Sequence, residues 1–202
     1  MEAGLVGAEV PSYKGFRFPA EIISHGIWLY HRFPLSFREV EEMMLERGIV
    51  VSHETIRQWC AKFDQTYANG LRRRRARPGD KWHLDEVYIK IAGKTHYLWR
   101  AVDQHDVVRR RPPASDPGVE HRQSKYLNNR AENSHQPTRQ QERAMRHFRS
   151  PGGAQRFLSA FSGISPHFRP RRHRLSAEEY RREMDTRFTT WNEITGTTTA
   201  AA

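Results

Sequence analysis

The stretch Trp82-His83-Leu84-Asp85-Glu86-Val87-Tyr88-Ile89-Lys90-Ile91, then Ala92-Gly93-Lys94, then Thr95-His96-Tyr97-Leu98-Trp99-Arg100-Ala101-Val102-Asp103 decides the reading of this chain. Aromatic and β-branched residues crowd both arms, and the glycine between them supplies the backbone freedom of a tight turn, so the stretch predicts a β-hairpin. Asp85 sits inside an otherwise apolar strand, where a carboxylate left buried and unpaired is costly. Either it faces solvent or it belongs to a site.

Upstream, the period changes from two to about 3.6. After Pro19, Ile23, Ile27 and Tyr30 recur at helical spacing until Phe33-Pro34 ends the run. Ser36-Phe37-Arg38-Glu39 is a capping box opening a second helix with Phe37, Val40 and Met44 on its apolar face, and Gly48 provides the left-handed residue that ends it. Ser52 caps a third helix, in which Ile56, Trp59, Cys60 and Phe63 share one side and His53, Glu54, Thr55, Arg57, Gln58 and Lys62 the other. Two helices around a glycine turn, the second presenting polar side chains, fit a helix-turn-helix; a plain three-helix bundle has the same pattern. Arg72-Arg73-Arg74-Arg75 follows the candidate reading helix directly and reads as a linker that also grips phosphate.

Downstream the pattern weakens. Arg109 to Gly118 carries the arginines, prolines and polar residues of a loop. Leu127 to His135 and Arg139 to Phe148 read as helical pieces divided by Pro137. Phe157, Leu158, Phe161 and Ile164 mark another helix, and Ser176-Ala177-Glu178-Glu179 is a second capping box. Arg169 to Arg174 forms a second basic cluster, and the end is expected to fray.

The whole chain is 202 residues with 34 Lys+Arg against 23 Asp+Glu, a net charge of +11, and 37% hydrophobic residues. The apolar share lies below the usual ~45–50%, which limits the chain to one sizeable core and a smaller appendage. One cysteine cannot build a disulfide framework, and no apolar run reaches the ~18 residues of a membrane span or resembles a signal peptide. A cytosolic protein without a membrane partner is therefore expected. The positive excess favours a polyanion, because neutralised phosphates release counterions. Scattered His83, His96, His121 and His135 lack the paired spacing of a zinc site.

The hairpin residues, together with His121-Arg122-Gln123-Ser124-Lys125-Tyr126-Leu127-Asn128-Asn129-Arg130-Ala131-Glu132-Asn133-Ser134-His135, resemble a bacterial insertion-sequence transposase of the DDE superfamily, within the insertion-sequence-six family. The resemblance runs from about Phe18 to about Gly196 with an interruption in the middle. It implies an α+β chain: an N-terminal helix-turn-helix bundle followed by an RNase H-like, integrase-type α/β core, truncated here. It implies that Asp85 is the first catalytic aspartate and Glu132 the closing glutamate, both metal ligands. Two Mg²⁺ ions about 3.5–4 Å apart would stabilise the attacking and leaving oxygens of strand cleavage and transfer, and such ions want hard carboxylate oxygens. The implied partner is double-stranded DNA, at the element's terminal repeats and at the target, and a homodimer is compatible with the reading. His53, Thr55, Arg57, Gln58, Lys62 and Arg72 to Arg75 are the candidate DNA contacts, joined by Arg130 and Arg139 beside Glu132.

The family's second aspartate follows a third strand, a helix and a fourth strand. Asp85 and Glu132 are only 47 positions apart, and residues 104 to 120 offer no room for that crossover. A three-residue turn in the hairpin would set Asp103 diagonally beside Asp85 on one face; a two-residue turn throws it to the other. The expected organisation is a tail (1–18), a helix-turn-helix domain (19–70), a basic linker (71–80), a truncated catalytic core (81–168), and a basic C-terminal helix with a disordered tail (169–202). Two functions remain in view: a transposase with catalysis lost or weakened, and a non-catalytic DNA-binding remnant. A nonspecific RNA-binding protein is the third.

Overall fold

The computed structural model describes residues 10–75, 82–103, 108–109 and 129–197, with side chains described for 10–75, 88–97 and 136–197. Its elements run α1 (Ala20–Arg32), α2 (Phe37–Glu46), α3 (His53–Arg73), β1 (Trp82–Ile91), β2 (Lys94–Asp103), β3 (Val108–Arg109), α4 (Asn129–Ala144), α5 (Pro151–Ile164) and α6 (Ala177–Thr195). The chain is α+β and mostly helical. Contacts divide it into two units, one made of Met1–Arg75 and Ser159–Ala202, the other of Ala76–Leu158.

Local signals build the first unit. Ser36 and Glu39 close the capping box on α2, with the Ser36 amide donating to the Glu39 carboxylate at 2.6 Å and the Glu39 amide donating to the Ser36 hydroxyl at 3.3 Å. Gly48 adopts φ +74°, and the Ile49 amide returns to the Met44 carbonyl at 3.0 Å to finish the helix. Ile23, Ile27 and Tyr30 of α1, Val40 and Met44 of α2, and Ile56, Trp59 and Phe63 of α3 are all at most 2% exposed. They form the core that the helical spacing predicted.

The far half of α3 is a finding of the structure. Tyr67, Ala68 and Leu71 are buried against the C-terminal segment, with Tyr67 edge-on to Trp191 of α6 at 5.1 Å. A Cβ on Gly163 of α5 would lie 2.5 Å from the Cβ of Ala68, so the two helices touch backbone to backbone there. The segment after Ser159 is therefore one body with the N-terminal helices. The basic run beyond Leu71 is not simply a linker: α3 continues through Arg73, and three of its arginines bond to α5 and α6. Residues 13–18 also pack, rather than trail. The rings of Tyr13 and Phe16 lie 5.0 Å from Phe63, and the Tyr13 hydroxyl donates to the Thr195 carbonyl at 2.6 Å.

In the second unit, Ile91 pairs with Lys94, so the hairpin turn is the two residues Ala92-Gly93. Both have positive φ, +49° and +79°, as a type I′ turn requires. β3 pairs antiparallel with β2, giving the order β1-β2-β3; a strand of two residues thus forms at the end of what the sequence reads as the start of a loop. α4 is continuous through Pro137, where the sequence predicts two pieces. The proline removes one amide donor without ending the helix, since its fixed φ already suits one. α4 ends with Arg146 and His147 at φ +56° and +69°. These left-handed residues turn Phe148 beside β1, where its amide donates to the Lys90 carbonyl at 3.2 Å and the Ala92 amide donates to its carbonyl at 2.8 Å. Ile89, Ile91, Phe148 and Ala154 make a small core, with Met145, Phe157 and Leu158 against it.

Two measurements check this packing. Gly163→Ala is expected to lower stability by about 1–3 kcal/mol through overpacking against Ala68, read as a shift in denaturant midpoint. Burial, with the nearby Arg187 and Arg75 charges, holds the His167 imidazole down at about 4. Its unfolded value is higher, so the stability it contributes is complete above pH 6.5 and is lost as pH falls toward 4. His167→Gln should flatten that part of the stability profile.

Candidate functional site

Asp85 and Glu132 both lie in the second unit. β1 pairs Asp85 with Arg100, and Glu132 falls in the first turn of α4, the helix that packs on β1. The side chains of Asp85, Glu132 and Arg130 lie outside the described residues. The register decides the question of Asp103. It pairs with Trp82, three positions from Asp85, so the alternation of the pleat assigns Asp85 and Asp103 to opposite faces. The three-residue turn that would have brought them together does not form. Asp106 and Asp116, the aspartates between the hairpin and Glu132, lie outside the described residues.

The candidate DNA contacts fall into two groups. On the first turns of α3, Arg57, Gln58 and Lys62 are exposed, and His53 and Thr55 are half-buried. This face is already organised by carboxylates. Glu54 accepts from Arg57 Nε at 2.8 Å and Nη2 at 2.6 Å and from Gln58 Nε2 at 3.4 Å. The Arg57 hydrogen bond is the main reason that the Glu54 carboxyl is lowered to about 2. Glu41 of α2 accepts the His53 amide at 3.1 Å and lies 3.0 Å from His53 Nδ1, and the Ser52 hydroxyl accepts the Thr55 amide at 3.2 Å.

The second group, Arg72 to Arg75, is largely structural. Arg72 donates to the Ser159 carbonyl and to the Ser162 hydroxyl. Arg74 meets Glu193 at 2.7 Å, and Arg75 donates to the carbonyls of Ser162 and Gly163. Only Arg73 and Arg74 of the four are classed as exposed. A charge run in sequence says nothing of carbonyls that a distant helix will bring, which is why this use was invisible there.

Two further arrangements were missed by the sequence. Arg139, already a candidate DNA contact and exposed on α4, shares a groove with Tyr88, Lys90 and Arg143; the groove arises from α4 packing on β1, which the sequence does not spell out. In the first unit His31, Cys60 and Asp64 converge, their ligand atoms within 4.8 Å of one another and all three residues buried. His31 Nε2 lies 2.8 Å from Asp64 Oδ2. Cys60 is 5% exposed, and burial next to Asp64 pushes its thiol well up. It packs, as its apolar helix face implied.

Comparison with known proteins now bears on this geometry. A sequence family described as a DDE domain matches residues 79–109 and 113–171, on either side of a short break. The matched region contains both Asp85 and Glu132, and part of the chain is similar to insertion-sequence transposases. It is 34% identical over 87 residues to the transposase for the insertion sequence-like element IS431mec of Staphylococcus aureus, covering 43% of this chain and 39% of that protein. It is 33% identical over 87 residues, with the same coverage, to the Staphylococcus aureus transposase for the insertion sequence element IS257 in transposon Tn4003. The match thus takes in well under half of the length of these relatives. No solved structure matches the chain. Among the described residues, no helix is long and apolar enough to cross a membrane.

The state of Cys60 is directly checkable. It should resist alkylation by iodoacetamide at pH 8 in the folded chain and react once the chain is unfolded by denaturant.

Proposed function

We propose that this chain is an internally shortened DDE transposase, one that docks on the terminal repeats of its element but has lost, or nearly lost, strand cleavage and transfer. The observation that carries the reading is the interrupted DDE-domain match, whose two parts contain Asp85 and Glu132 respectively. In this reading α2 and α3 are the helix-turn-helix, α3 lies in the major groove, and His53, Thr55, Arg57, Gln58 and Lys62 reach bases and phosphates. Residues 19–70 form this DNA-binding domain, with the segment after 159 as its packing support. Residues 81–158 form the remnant of an RNase H-like core, ten residues shorter than the 81–168 expected from the sequence, because Ser159 onward packs with the N-terminal helices. Its antiparallel β1-β2-β3 order, followed by a helix with the glutamate, is consistent with such a core's first half.

A two-metal centre needs about three converging carboxylates, one shared and one anchoring each ion. Asp85 and Glu132 supply two. The hairpin register argues against Asp103 as a third, and the Arg/Pro-rich sequence between Asp103 and His121 reads as a loop rather than as the crossover and parallel strand that would carry the second aspartate. On this reading the donor set is one carboxylate short of holding a pair of Mg²⁺ ions. Duplex DNA is the proposed partner, with a homodimer as the working assembly, in the bacterial cytoplasm at the nucleoid. The second reading, a DNA-binding remnant without catalysis, is favoured by the self-contained core of the first unit, which carries the whole of α3.

Both readings meet in one experiment on the chain as it stands. With terminal-repeat duplex and Mg²⁺ the chain should bind in a sequence-dependent, salt-sensitive way and give no strand transfer. Gln58→Ala or Arg57→Ala should weaken repeat binding by about tenfold, the scale of one base or phosphate contact. Strand transfer that Asp85→Ala abolishes would overturn the catalytic half, and equal affinity for unrelated duplexes would overturn the docking half. A fragment ending near residue 80 is the wrong vehicle, because it would uncover Tyr67, Ala68 and Leu71.

A further inference from the structure

We propose that one face of the hairpin, together with the last turns of α4, is a platform for an unpaired DNA strand: Tyr88 and Tyr97 stack its bases, and Lys90, Arg139 and Arg143 hold its phosphates. This rests on the DNA-transposase reading above and deepens it, since it assigns the second unit a nucleic-acid role that needs no metal.

Tyr88 and Tyr97 are cross-strand partners, and their ring centroids are 4.9 Å apart at 64°. Each is more than half exposed, at 52% and 63%, while Ile89 and Ile91 next to them are buried at 5% and 6%. The hairpin thus turns its aliphatic residues inward and leaves two large rings in water, the reverse of what burial alone would choose. Beside them lies an open groove of about 210 Å³ lined by Tyr88, Lys90, Thr95, Arg139, Glu142, Arg143 and His147. It is smaller than the ~300–1,000 Å³ of enclosed small-molecule sites.

Among the described lining residues, cations outnumber the one acid three to one. Arg139 and Arg143 stand one helical turn apart on α4 and are exposed, as is Lys90. The acid among them, Glu142, also lines the groove but is only 7% exposed. Its Oε1 accepts the Lys90 amide at 2.8 Å and lies 3.4 Å from His147 Nδ1. Cations flanking exposed rings match a phosphodiester strand whose bases are free to stack. A closed duplex keeps its base faces to itself, so the occupant is an unpaired stretch, of the kind that frayed or nicked element ends present.

The test is polarisation of a fluorescein-labelled oligothymidylate of about 12 nucleotides titrated with the whole chain, a length within the usual site size of such surfaces. Tyr97→Ala should weaken binding by about fivefold or more, and Tyr97→Phe, which keeps the ring, should stay within about twofold of the parent. Arg139→Gln and Arg143→Gln should each reduce the slope of log affinity against log salt by about 0.7. Unchanged binding by Tyr97→Ala, or equal loss in Tyr97→Phe, would overturn the proposal. So would a dimer that Tyr97→Ala dissolves without altering strand binding, for then the rings serve a second copy. Repeat-duplex binding measured in parallel keeps the two readings separate: Gln58→Ala should lower it and Tyr97→Ala should not. Repeat-specific duplex binding without oligothymidylate binding refutes the platform alone, whereas Tyr97-dependent strand binding without repeat preference refutes only the terminal-repeat reading.

Discussion

The turn at Ala92-Gly93 is the constraint on which the functional reading depends. Two residues at positive φ reverse the chain in the hand that matches strand twist, and they fix every cross-strand pair from Ile91–Lys94 to Trp82–Asp103. Ala92 accepts a conformation that costs a non-glycine residue about 1 kcal/mol. One residue more in the turn would have put Asp103 on the face of Asp85. The same register stands Tyr88 opposite Tyr97 and leaves Ile89 and Ile91 for the small core.

The surplus of arginine divides along physical lines. Where a helix end or a turn leaves carbonyl oxygens exposed, an arginine fork can satisfy several at once, as Arg72 and Arg75 do on α5 and Arg187 does on the His167 carbonyl. Those side chains hold the fold. Arg139 and Arg143, and Arg57 under the hold of Glu54, stay at the surface, where their charge acts on what approaches. Net charge therefore overstates how much of the chain is available to DNA, and the location of each guanidinium matters more than the total.

Much of the architecture was legible because it is written in short-range chemistry. The Ser36–Glu39 and Ser176–Glu179 boxes both close as spelled, and Gly48 ends α2 in the left-handed region. The i, i+3, i+4, i+7 pattern from Ile56 to Phe63 picks the buried face of α3, and the hairpin stands where its alternation placed it. Pro137 misled because a proline weakens a helix without forbidding it. Arg72 to Arg75 misled because the carbonyls they meet lie some ninety residues further along the chain. The docking of Tyr13 on Tyr67 and Thr195 was hidden for the same reason.

The sequence by itself determined the helical caps, the apolar faces, the strand pair and the family resemblance carried by the residues around Asp85 and Glu132. Each of these is set by neighbours within a turn or two, or by motifs that can be compared position by position. Only the tertiary structure decided that α5 and α6 complete the core of the N-terminal helices, that three of the four arginines after Leu71 are fastened to them, and that Asp103 lies across the sheet from Asp85. Those outcomes depend on which distant groups share a contact and on whether a turn holds two residues or three, and a difference of a single position reverses a face.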